Sequence, residues 1–383
     1  MAQSKETPIT LVGVGDISPN RDDPPSIFRF TRDTFRSADI VFGQMESPLS
    51  DRGTPQFTPH SPKRLPARNI SALTEEGAGF DIMSFACNHA MDCGEDAFFD
   101  TLDALAKNNI AVVGAGKNLR EARKPVILER NGTKVGFLAY LSILFPGLEA
   151  EEDLPGCAPL RASHYYHTFD FQPGCPPHVV TAVLPEYLKA MEEDIKALRP
   201  QVDVLVVSMH AGVHNIRATV AMYQKEAAYA AIDVGADLVL QHHSHILKGA
   251  ECYKGKVIFY GLGNFALEHT LEISSTRPAG DYEWKGGRLK KYYFRLKQPP
   301  GYEKHGFHPE ALKTMIAKAY IQDKQIQKVT YIPTYITPNL EPEVLTRADA
   351  RAQEVFDYME QISAEEGLEV SFSWDGDEVL ISS

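Results

Sequence analysis

The chain has 383 residues, 43% of them hydrophobic, and a formal net charge of −12, so it can bury a large core in one large domain or two. The acidic balance, without a dense basic cluster, argues against nucleic acid as a partner. No stretch approaches the roughly twenty apolar residues of a membrane helix, and segment 1–6 lacks an apolar signal core. We therefore predict no membrane segment and a cytoplasmic location.

Up to about residue 270, apolar runs typical of buried strands alternate with segments of helical apolar spacing, which predicts an α/β fold. Segment 145–185, rich in proline, glycine and aromatic residues, interrupts this pattern. We expect it to be a long excursion over one face, such as a lid or a substrate-binding wall. The predicted helices are 26–36, 95–108, 186–198 and 220–234, and the predicted strands include 134–141 and 256–260.

The C-terminal part has a different character. Runs 312–320 and 325–335 alternate in polarity around Asp323-Lys324, which predicts a hairpin. A helix over 347–362 and short strands over 368–372 and 378–381 are expected to follow. We therefore predict a catalytic domain over 1–280 and a C-terminal α+β extension over 281–383 packed on that same domain.

Five apolar runs end in residues that can bind a metal. In open α/β sheets, ligands gather at the carboxyl ends of strands, so these five ends could converge on one crevice. Clustered imidazoles in particular suit zinc, manganese or iron. The alternatives are a histidine-rich surface turn for the last run and turn residues or helix caps for the others. The residues are Asp16, Glu46, Cys87-Asn88-His89, His210 and Gln241-His242-His243-Ser244-His245.

The order of these residues resembles a known pattern. Gly15-Asp16, Glu46, Asn88-His89, His210 and His243-x-His245 are similar to the calcineurin-like metallophosphoesterase superfamily, and within it to the CapA family, named for poly-γ-glutamate capsule synthesis. The resemblance covers roughly the first 270 residues. It implies a sandwich of two mixed β-sheets flanked by helices. The blocks closest to CapA are 45–49, 87–92 and 261–265.

The resemblance also implies roles for individual residues. Two divalent ions, manganese, zinc or iron, would share Glu46, with Asp16 and His245 on one ion and Asn88, His210 and His243 on the other. His89 would donate a proton to the leaving group, and Asp92 could orient its imidazole. The alternative for Asp92 is a helix N-cap.

Three positions depart from the pattern. Ser18 stands where the superfamily has a histidine, which removes one nitrogen ligand from the first ion and favours a weakened or single-metal site. Cys87 replaces an asparagine common in CapA proteins, and Ala211 replaces a bulky aromatic residue. These changes indicate an altered pocket. The missing membrane anchor also departs from many CapA relatives.

Further candidates for the site have weaker support. The candidate substrate contacts are His214, which could line the mouth, Asn264, which could contact the site, and His242. His242 could alternatively replace His243 as a ligand, since neighbouring residues on a strand point to opposite sides. Cys87 is either an active thiol or an inert buried cysteine. The five cysteines are odd in number and scattered, which indicates reduced thiols.

Three functions are compatible with these residues. The first is a metal-dependent hydrolase that cleaves an ester, amide or phosphoester through a metal-bound water. The second is a metal-assisted epimerase of a peptide or amino acid that uses Cys87 and His89 as acid and base. The third is a non-catalytic component of a poly-γ-glutamate-type synthesis complex. We expect a small-molecule or peptide-like substrate; the sequence gives no prediction of oligomeric state.

Overall fold

The computed structural model describes residues 8–56, 63–168, 170, 172, 174–175, 177–268, 298–303 and 305–383. Two large mixed β-sheets face each other and helices cover their outer sides, which confirms the predicted architecture. The predicted domain boundary at 280/281 lies outside the described residues. Within the described ranges, no helix is long and apolar enough to cross a bilayer.

The first sheet is built around a long strand, β1 (Ile9–Ser18). It is parallel to β2 (Ile40–Met45) on one side and antiparallel to β16 (Lys313–Gln322) on the other. The carboxyl-terminal half of β1 also pairs with β15 in parallel. The strands are β1 Ile9–Ser18, β2 Ile40–Met45, β3 Ile82–Ser84, β4 Ala111–Val113, β15 Asn264–Leu267, β16 Lys313–Gln322, β17 Gln325–Ile336, β18 Pro342–Val344, β19 Ser371–Asp375 and β20 Glu378–Ser382.

The second sheet has the order β13-β14-β12-β11-β7-β6, with parallel pairing from β14 to β7. Its central strands are fully buried, as expected for parallel strands covered on both faces. The strands are β6 Val126–Arg130, β7 Thr133–Leu141, β11 Val204–His210, β12 Leu238–His242, β13 Ala250–Tyr253 and β14 Lys256–Phe259. The predicted strands 134–141 and 256–260 correspond to β7 and β14.

The core between the sheets follows from side-chain alternation. Val204 and Val206 on β11 belong to the core shared with the first sheet, whereas Leu205 and Val207 pack in the cluster that contains the helices. The contact between sheets is close: the rings of Phe42 on β2 and Phe137 on β7 stack at 5.9 Å. Nε2 of His210, at the end of β11, lies 3.7 Å from Oε2 of Glu46, just after β2. Because β1 is parallel to β2, the carboxyl ends of β1 and β11 lie at the same edge of the sandwich.

The helices match the predicted amphipathic segments in three of four cases before residue 270. Pro185 opens one of them at a position where its missing N–H costs nothing. The helices are α1 Arg32–Arg36, α2 Gly94–Lys107, α3 Leu119–Ala122, α4 Pro185–Leu198, α5 Met222–Asp233 and α6 Ala350–Glu365, and 3-10 turns lie at Pro24–Phe28, Ala67–Ala72, Arg199–Gln201 and Pro309–Leu312.

The predicted helix 26–36 is wrong as a continuous element. The chain forms a 3-10 turn, leaves helical geometry at Thr31 and re-enters it as α1. The break lets Phe28 and Phe35 both enter the core, with ring centroids 5.9 Å apart. Tertiary packing of the two aromatic rings overrides the local helical pattern here.

The described residues of segment 145–185 form more regular secondary structure than the predicted excursion. It contains a two-stranded sheet whose second strand packs beside α5, and Thr181 Oγ1 accepts from the backbone N–H of Tyr223. A second two-stranded sheet pairs Gly156–Cys157 of this segment with Ala115–Gly116, just after β4. The strands are β5 Ala115–Gly116, β8 Gly156–Cys157, β9 Ala162–His167 and β10 His178–Val183.

The C-terminal hairpin forms as predicted. Asp323 and Lys324 both adopt positive φ, 51° and 63°, as a two-residue hairpin turn requires. The following helix begins at Ala350 rather than 347 because the Asp349 side chain caps it, and β19 lies three residues beyond the predicted 368 start. Because β16 pairs with β1, the C-terminal strands are part of the first sheet.

Candidate metal centre at the carboxyl ends of the strands

The structure brings the ligand-type residues of five strand ends into one buried cluster. Asp16 lies near the end of β1, Glu46 directly follows β2, and His210 ends β11. The side chains of these three residues have no exposed surface. The histidine-rich turn after β12 is buried as well, since His243 and His245 are 5% and 7% exposed. The alternative of a solvated surface turn is therefore wrong.

One group of ligand atoms forms around Asp16. His245 Nδ1 lies 3.3 Å from Asp16 Oδ2, and its Nε2 lies 3.7 Å from Glu46 Oε1. Ligand atoms of Asp16, Glu46 and His245 all fall within 4.8 Å of one another. Ser18, the position of the missing histidine, instead hydrogen-bonds Ser47 through the two hydroxyls at 2.8 Å.

A second group forms around His210. His210 Nε2 lies 3.7 Å from Glu46 Oε2, 2.7 Å from Asn88 Oδ1 and 3.2 Å from His243 Nδ1. Glu46, Cys87 and His210 likewise offer ligand atoms within 4.8 Å of one another. Glu46 is common to both groups, the arrangement that a bridging carboxylate requires.

The electrostatics of these groups fit a cation. Neither oxygen of Asp16, nor Oε1 of Glu46, accepts a hydrogen bond of normal geometry from the described residues. Burial raises the pKa of Asp16 to about 7, and burial together with Asp16 raises that of Glu46 to about 7. Burial also holds the pKa of His210 well below its usual value, so its imidazole is neutral. Buried carboxylate oxygens that accept no hydrogen bond are costly unless a cation neutralises them, and carboxylate with neutral imidazole suits manganese, zinc or iron.

His89 and Asp92 form a pair beside the ligands. His89 Nδ1 lies 2.6 Å from Asp92 Oδ2, and His89 Nε2 lies 3.9 Å from Glu46 Oε1. Helix α2 begins at Gly94 with Cys93 at its cap position. Asp92 is therefore not the helix cap, and its position is that of a carboxylate orienting an imidazole.

Cys87 lies inside the centre as a protonated thiol. Its Sγ donates to Glu46 Oε2 at 3.2 Å, and burial raises its pKa well above the usual value. A thiol that donates to a carboxylate is not poised as a base or a nucleophile.

Backbone geometry fixes the histidine-rich turn. His243 and His245 have φ of 81° and 58°, in the left-handed region that residues other than glycine rarely adopt. On β1, a Cβ at Gly15 would come within 1.9 Å of the Gly263 carbonyl oxygen. Glycine at position 15 lets that carbonyl accept from the Asp16 N–H at 3.0 Å, which holds the carboxylate in place.

Of the three weaker candidates for the site, two lie beside the cluster and one does not. His214 lies against the turn, with its ring 5.2 Å from that of His243, and Asn264 Oδ1 contacts His245 Nδ1 at 2.8 Å. His242 does not join the cluster: its ring is fully buried, 6.1 Å from Phe42 between the sheets. The prediction of His242 as a substrate contact or alternative ligand is therefore corrected, because its side chain faces the core and is closed to solvent.

Two residues at the site were not predicted from the sequence. Lys63 Nζ lies 3.8 Å from Glu46 Oε1, and the ring of Phe307 packs 4.8 Å from that of His245. Neither follows an apolar run or belongs to a recognised motif. Only the distant pairing of chain segments brings them here.

Fold and site together define a two-sheet α/β protein with candidate divalent-metal ligands at its strand ends. The sequence profile described as "Bacterial capsule synthesis protein PGA_cap" matches residues 10–269. The chain therefore belongs to this family, which confirms the resemblance to CapA proteins.

Relatives in this family carry names from polymer synthesis. The chain is 30% identical over 250 residues to the "PGA biosynthesis protein CapA" of Bacillus subtilis, covering 63% of this chain and 57% of the relative. It is 30% identical over 269 residues to the "Probable polyglutamine synthesis accessory protein" of Mycobacterium tuberculosis, covering 69% and 63%. The chain thus spans about three fifths of the length of these relatives.

Among solved structures, the calcineurin-like phosphoesterase YfkN of Bacillus subtilis aligns with a TM-score of 0.41 and 12% identity, covering 94% of this chain and 99% of that one. Similarity at this level does not define the fold, which rests on the sheets themselves.

Proposed function

We propose that the chain is a metal-dependent hydrolase that cleaves an ester, amide or phosphoester. The single observation that supports this best is the sharing of Glu46 by two ligand groups, with the His89–Asp92 pair directly beside them. A non-catalytic scaffold has no need to bury Asp16 and Glu46 with three of their four carboxylate oxygens lacking a hydrogen bond from the described residues.

The described residues would hold two divalent ions. Glu46 would bridge, and when bound the ions would polarise the scissile group and lower the pKa of a water. With Ser18 contributing no nitrogen, the Asp16 position is expected to fill less completely than the other. The proposed ligands are Asp16, Glu46 and His245 for one ion and Glu46, Asn88, His210 and His243 for the other.

His89 would supply the proton of the reaction. Asp92 Oδ2 also accepts the Lys63 backbone N–H at 2.8 Å, so this oxygen is fixed from two sides. Burial raises the pKa of Asp92 to about 7. Above that pH the ionised carboxylate accepts from His89 Nδ1, and Nε2 faces the ligand groups. A proton on Nε2 can then pass to a leaving group, the role of a general acid.

The epimerase alternative has weaker structural support. It needs Cys87 as a base, yet this thiol is fully buried, donates to Glu46 and has a raised pKa. The third alternative, a non-catalytic component of a polymer-synthesis complex, draws its support from the relatives' names.

The test combines metal content with turnover. Protein purified without chelator is analysed for metal and assayed with p-nitrophenyl phosphate, a p-nitrophenyl ester and γ-glutamyl-p-nitroanilide. The third substrate follows from the polymer in the relatives' names. Hydrolysis that chelator abolishes and Mn²⁺ restores supports the proposal; a protein that binds metal but cleaves none of the three supports the non-catalytic alternative.

Cys87→Ser separates hydrolase from epimerase. A hydrolase should retain activity within a few-fold, whereas an epimerase that uses the thiol as a base should lose nearly all of it. Reactions in deuterated water with a γ-glutamyl peptide add a second readout. Deuterium at the α-carbon without cleavage would overturn the hydrolase.

A further inference from the structure

Lys63 is a cation that reaches the candidate metal centre. Its side chain is 19% exposed, while the Glu46 side chain that it approaches is fully buried. The separation of 3.8 Å between Lys63 Nζ and Glu46 Oε1 exceeds a hydrogen bond. With respect to the described residues, the ammonium therefore stands at the rim of the centre with donor capacity left for another group.

The backbone holds Lys63 in this position. Its N–H donates to Asp92 Oδ2 at 2.8 Å. Two residues further on, Leu65 pairs with the segment that follows Glu46: its N–H donates to the Pro48 carbonyl at 2.8 Å, and its carbonyl accepts from the Ser50 N–H at 2.9 Å. The position of Lys63 is thus tied to both the His89–Asp92 pair and the chain after Glu46.

Charge balance gives Lys63 a role once metal is bound. Asp16, Glu46 and the neighbouring Asp92 supply three negative charges at most, and two divalent ions would exceed them. The Lys63 ammonium, 3.8 Å from Glu46 Oε1, adds one further positive charge to the same site, and a site of net positive charge attracts an anion. The loaded centre with Lys63 therefore favours a ligand that brings its own negative charge.

We infer that Lys63 binds an oxyanion of the substrate, a carboxylate or a phosphate, and so restricts the enzyme to anionic substrates. This inference rests on the proposed function and adds the substrate class. The ammonium would hold the charged group beside the bond to be cleaved while His89 faces the leaving group.

The competing explanation is that Lys63 only offsets the buried carboxylates in the absence of metal. The two explanations differ in what is lost on substitution. A counter-ion affects metal uptake and folding, whereas an oxyanion contact affects anion affinity at unchanged metal content.

The experiment compares Lys63→Met, which removes the charge, with Lys63→Arg, which keeps it. Lys189→Met on α4 is the matched control, because this exposed lysine pairs only loosely with Glu193, at 3.7 Å. Each protein is titrated calorimetrically with inorganic phosphate, with glutarate and with neutral glutaramide, both as purified and after loading with Mn²⁺. Elemental analysis gives metal content, and thermal denaturation checks folding.

We expect Lys63→Met to keep its metal content and to weaken binding of phosphate, glutarate or both by about tenfold or more, as loss of a charged hydrogen bond implies. The anion affinities of Lys63→Arg and Lys189→Met should stay within a few-fold of the wild-type value, and neutral glutaramide should show no binding. The stronger of the two probes identifies phosphate or carboxylate as the natural group.

Equal anion affinity in wild type and Lys63→Met would overturn the inference, as would failure of the wild type to bind either anion. Failure of the wild type to take up metal would instead contradict the proposed function. Because the charge argument requires bound ions, that outcome would overturn the inference as well, whereas metal uptake with equal anion affinity would overturn the inference alone.

Discussion

The two ligand groups that share Glu46 differ in what their atoms contact. Around Asp16, the carboxylate oxygens accept no hydrogen bond of normal geometry from described residues. Around His210, the ligand atoms already pair with each other, Asn88 Oδ1 with His210 Nε2 at 2.7 Å. The Asp16 group has fewer ligand atoms, and among the described residues its carboxylate charge receives no hydrogen bond of normal geometry. The His210 group has more ligand atoms, but binding a metal there would break the hydrogen bonds between them.

This difference means that ligand number and buried charge act in opposite directions on the metal affinity of the two groups. An ion at the Asp16 group is favoured by neutralisation of a buried carboxylate, which is worth more in a dry site than in water. An ion at the His210 group gains an additional nitrogen ligand but displaces a hydrogen bond.

The largest effect is expected from Glu46→Gln, since this side chain belongs to both groups. Loss of its negative charge should lower the metal affinity of both positions by about a hundredfold, given that outer partners of metal ligands alone contribute 10- to 100-fold. Elemental analysis after dialysis measures this. Glu46→Asp, which keeps the charge, is the control, and normal metal content in Glu46→Gln would rule out a bridging role.

A matched pair of histidine variants should separate the groups. His245→Ala should empty the Asp16 position and leave the other ion, while His210→Ala should do the reverse, so each variant retains about one equivalent at most. Titration with Mn²⁺ followed by paramagnetic resonance counts the bound ions. Loss of all metal in both variants would mean that the two positions fill only together.

The free energy of unfolding and the Mn²⁺ affinity are both expected to change gradually with pH. Burial raises the pKa of Asp16 to about 7, from an ordinary value near 4, so the metal-free native state binds a proton that the unfolded chain has released. The free energy of unfolding therefore falls as pH rises through this window. Metal competes with the same proton, so Mn²⁺ affinity should rise with pH and level off above about 7.

Asp16→Asn isolates this contribution from that of the buried histidines. It resembles the protonated acid at every pH. The free energy of unfolding of metal-free Asp16→Asn should therefore increase relative to that of metal-free wild type by on the order of a few kcal/mol as pH rises from 5 to 8. Denaturant unfolding at the two pH values measures the difference. A pH-independent difference would contradict the raised pKa.

The smallest effect on metal content is expected from His89→Gln. Because His89 lies beside the ligands and not among them, both ions should remain. Turnover of the best substrate should fall by about a hundredfold or more, the usual contribution of general acid catalysis. Asp92→Asn should show a milder loss, and full turnover in His89→Gln would remove the residue from the mechanism.

The sequence by itself determined the ligand types, their order and their places at strand ends. It could do so because strand periodicity is local and because residues after parallel strands meet at one edge of a sheet. The strand-end pattern predicted Asp16, Glu46, Cys87-Asn88-His89, His210 and the run from Gln241 to His245 as candidates, and the resemblance to CapA proteins then implied which of them are ligands. Helices α2, α4 and α5 and the hairpin of β16 and β17 followed from equally local patterns.

Only the tertiary structure decided which neighbouring side chains reach the site. His242 and His243 are adjacent in sequence, yet the first faces the core against Phe42 and the second turns into the cluster with φ of 81°. Lys63 and Phe307 arrive through contacts between distant segments, and the C-terminal strands join the first sheet because β16 pairs with β1. Side-chain direction at a strand end and pairing over long sequence separations are properties of the packed molecule, so no local pattern specifies them.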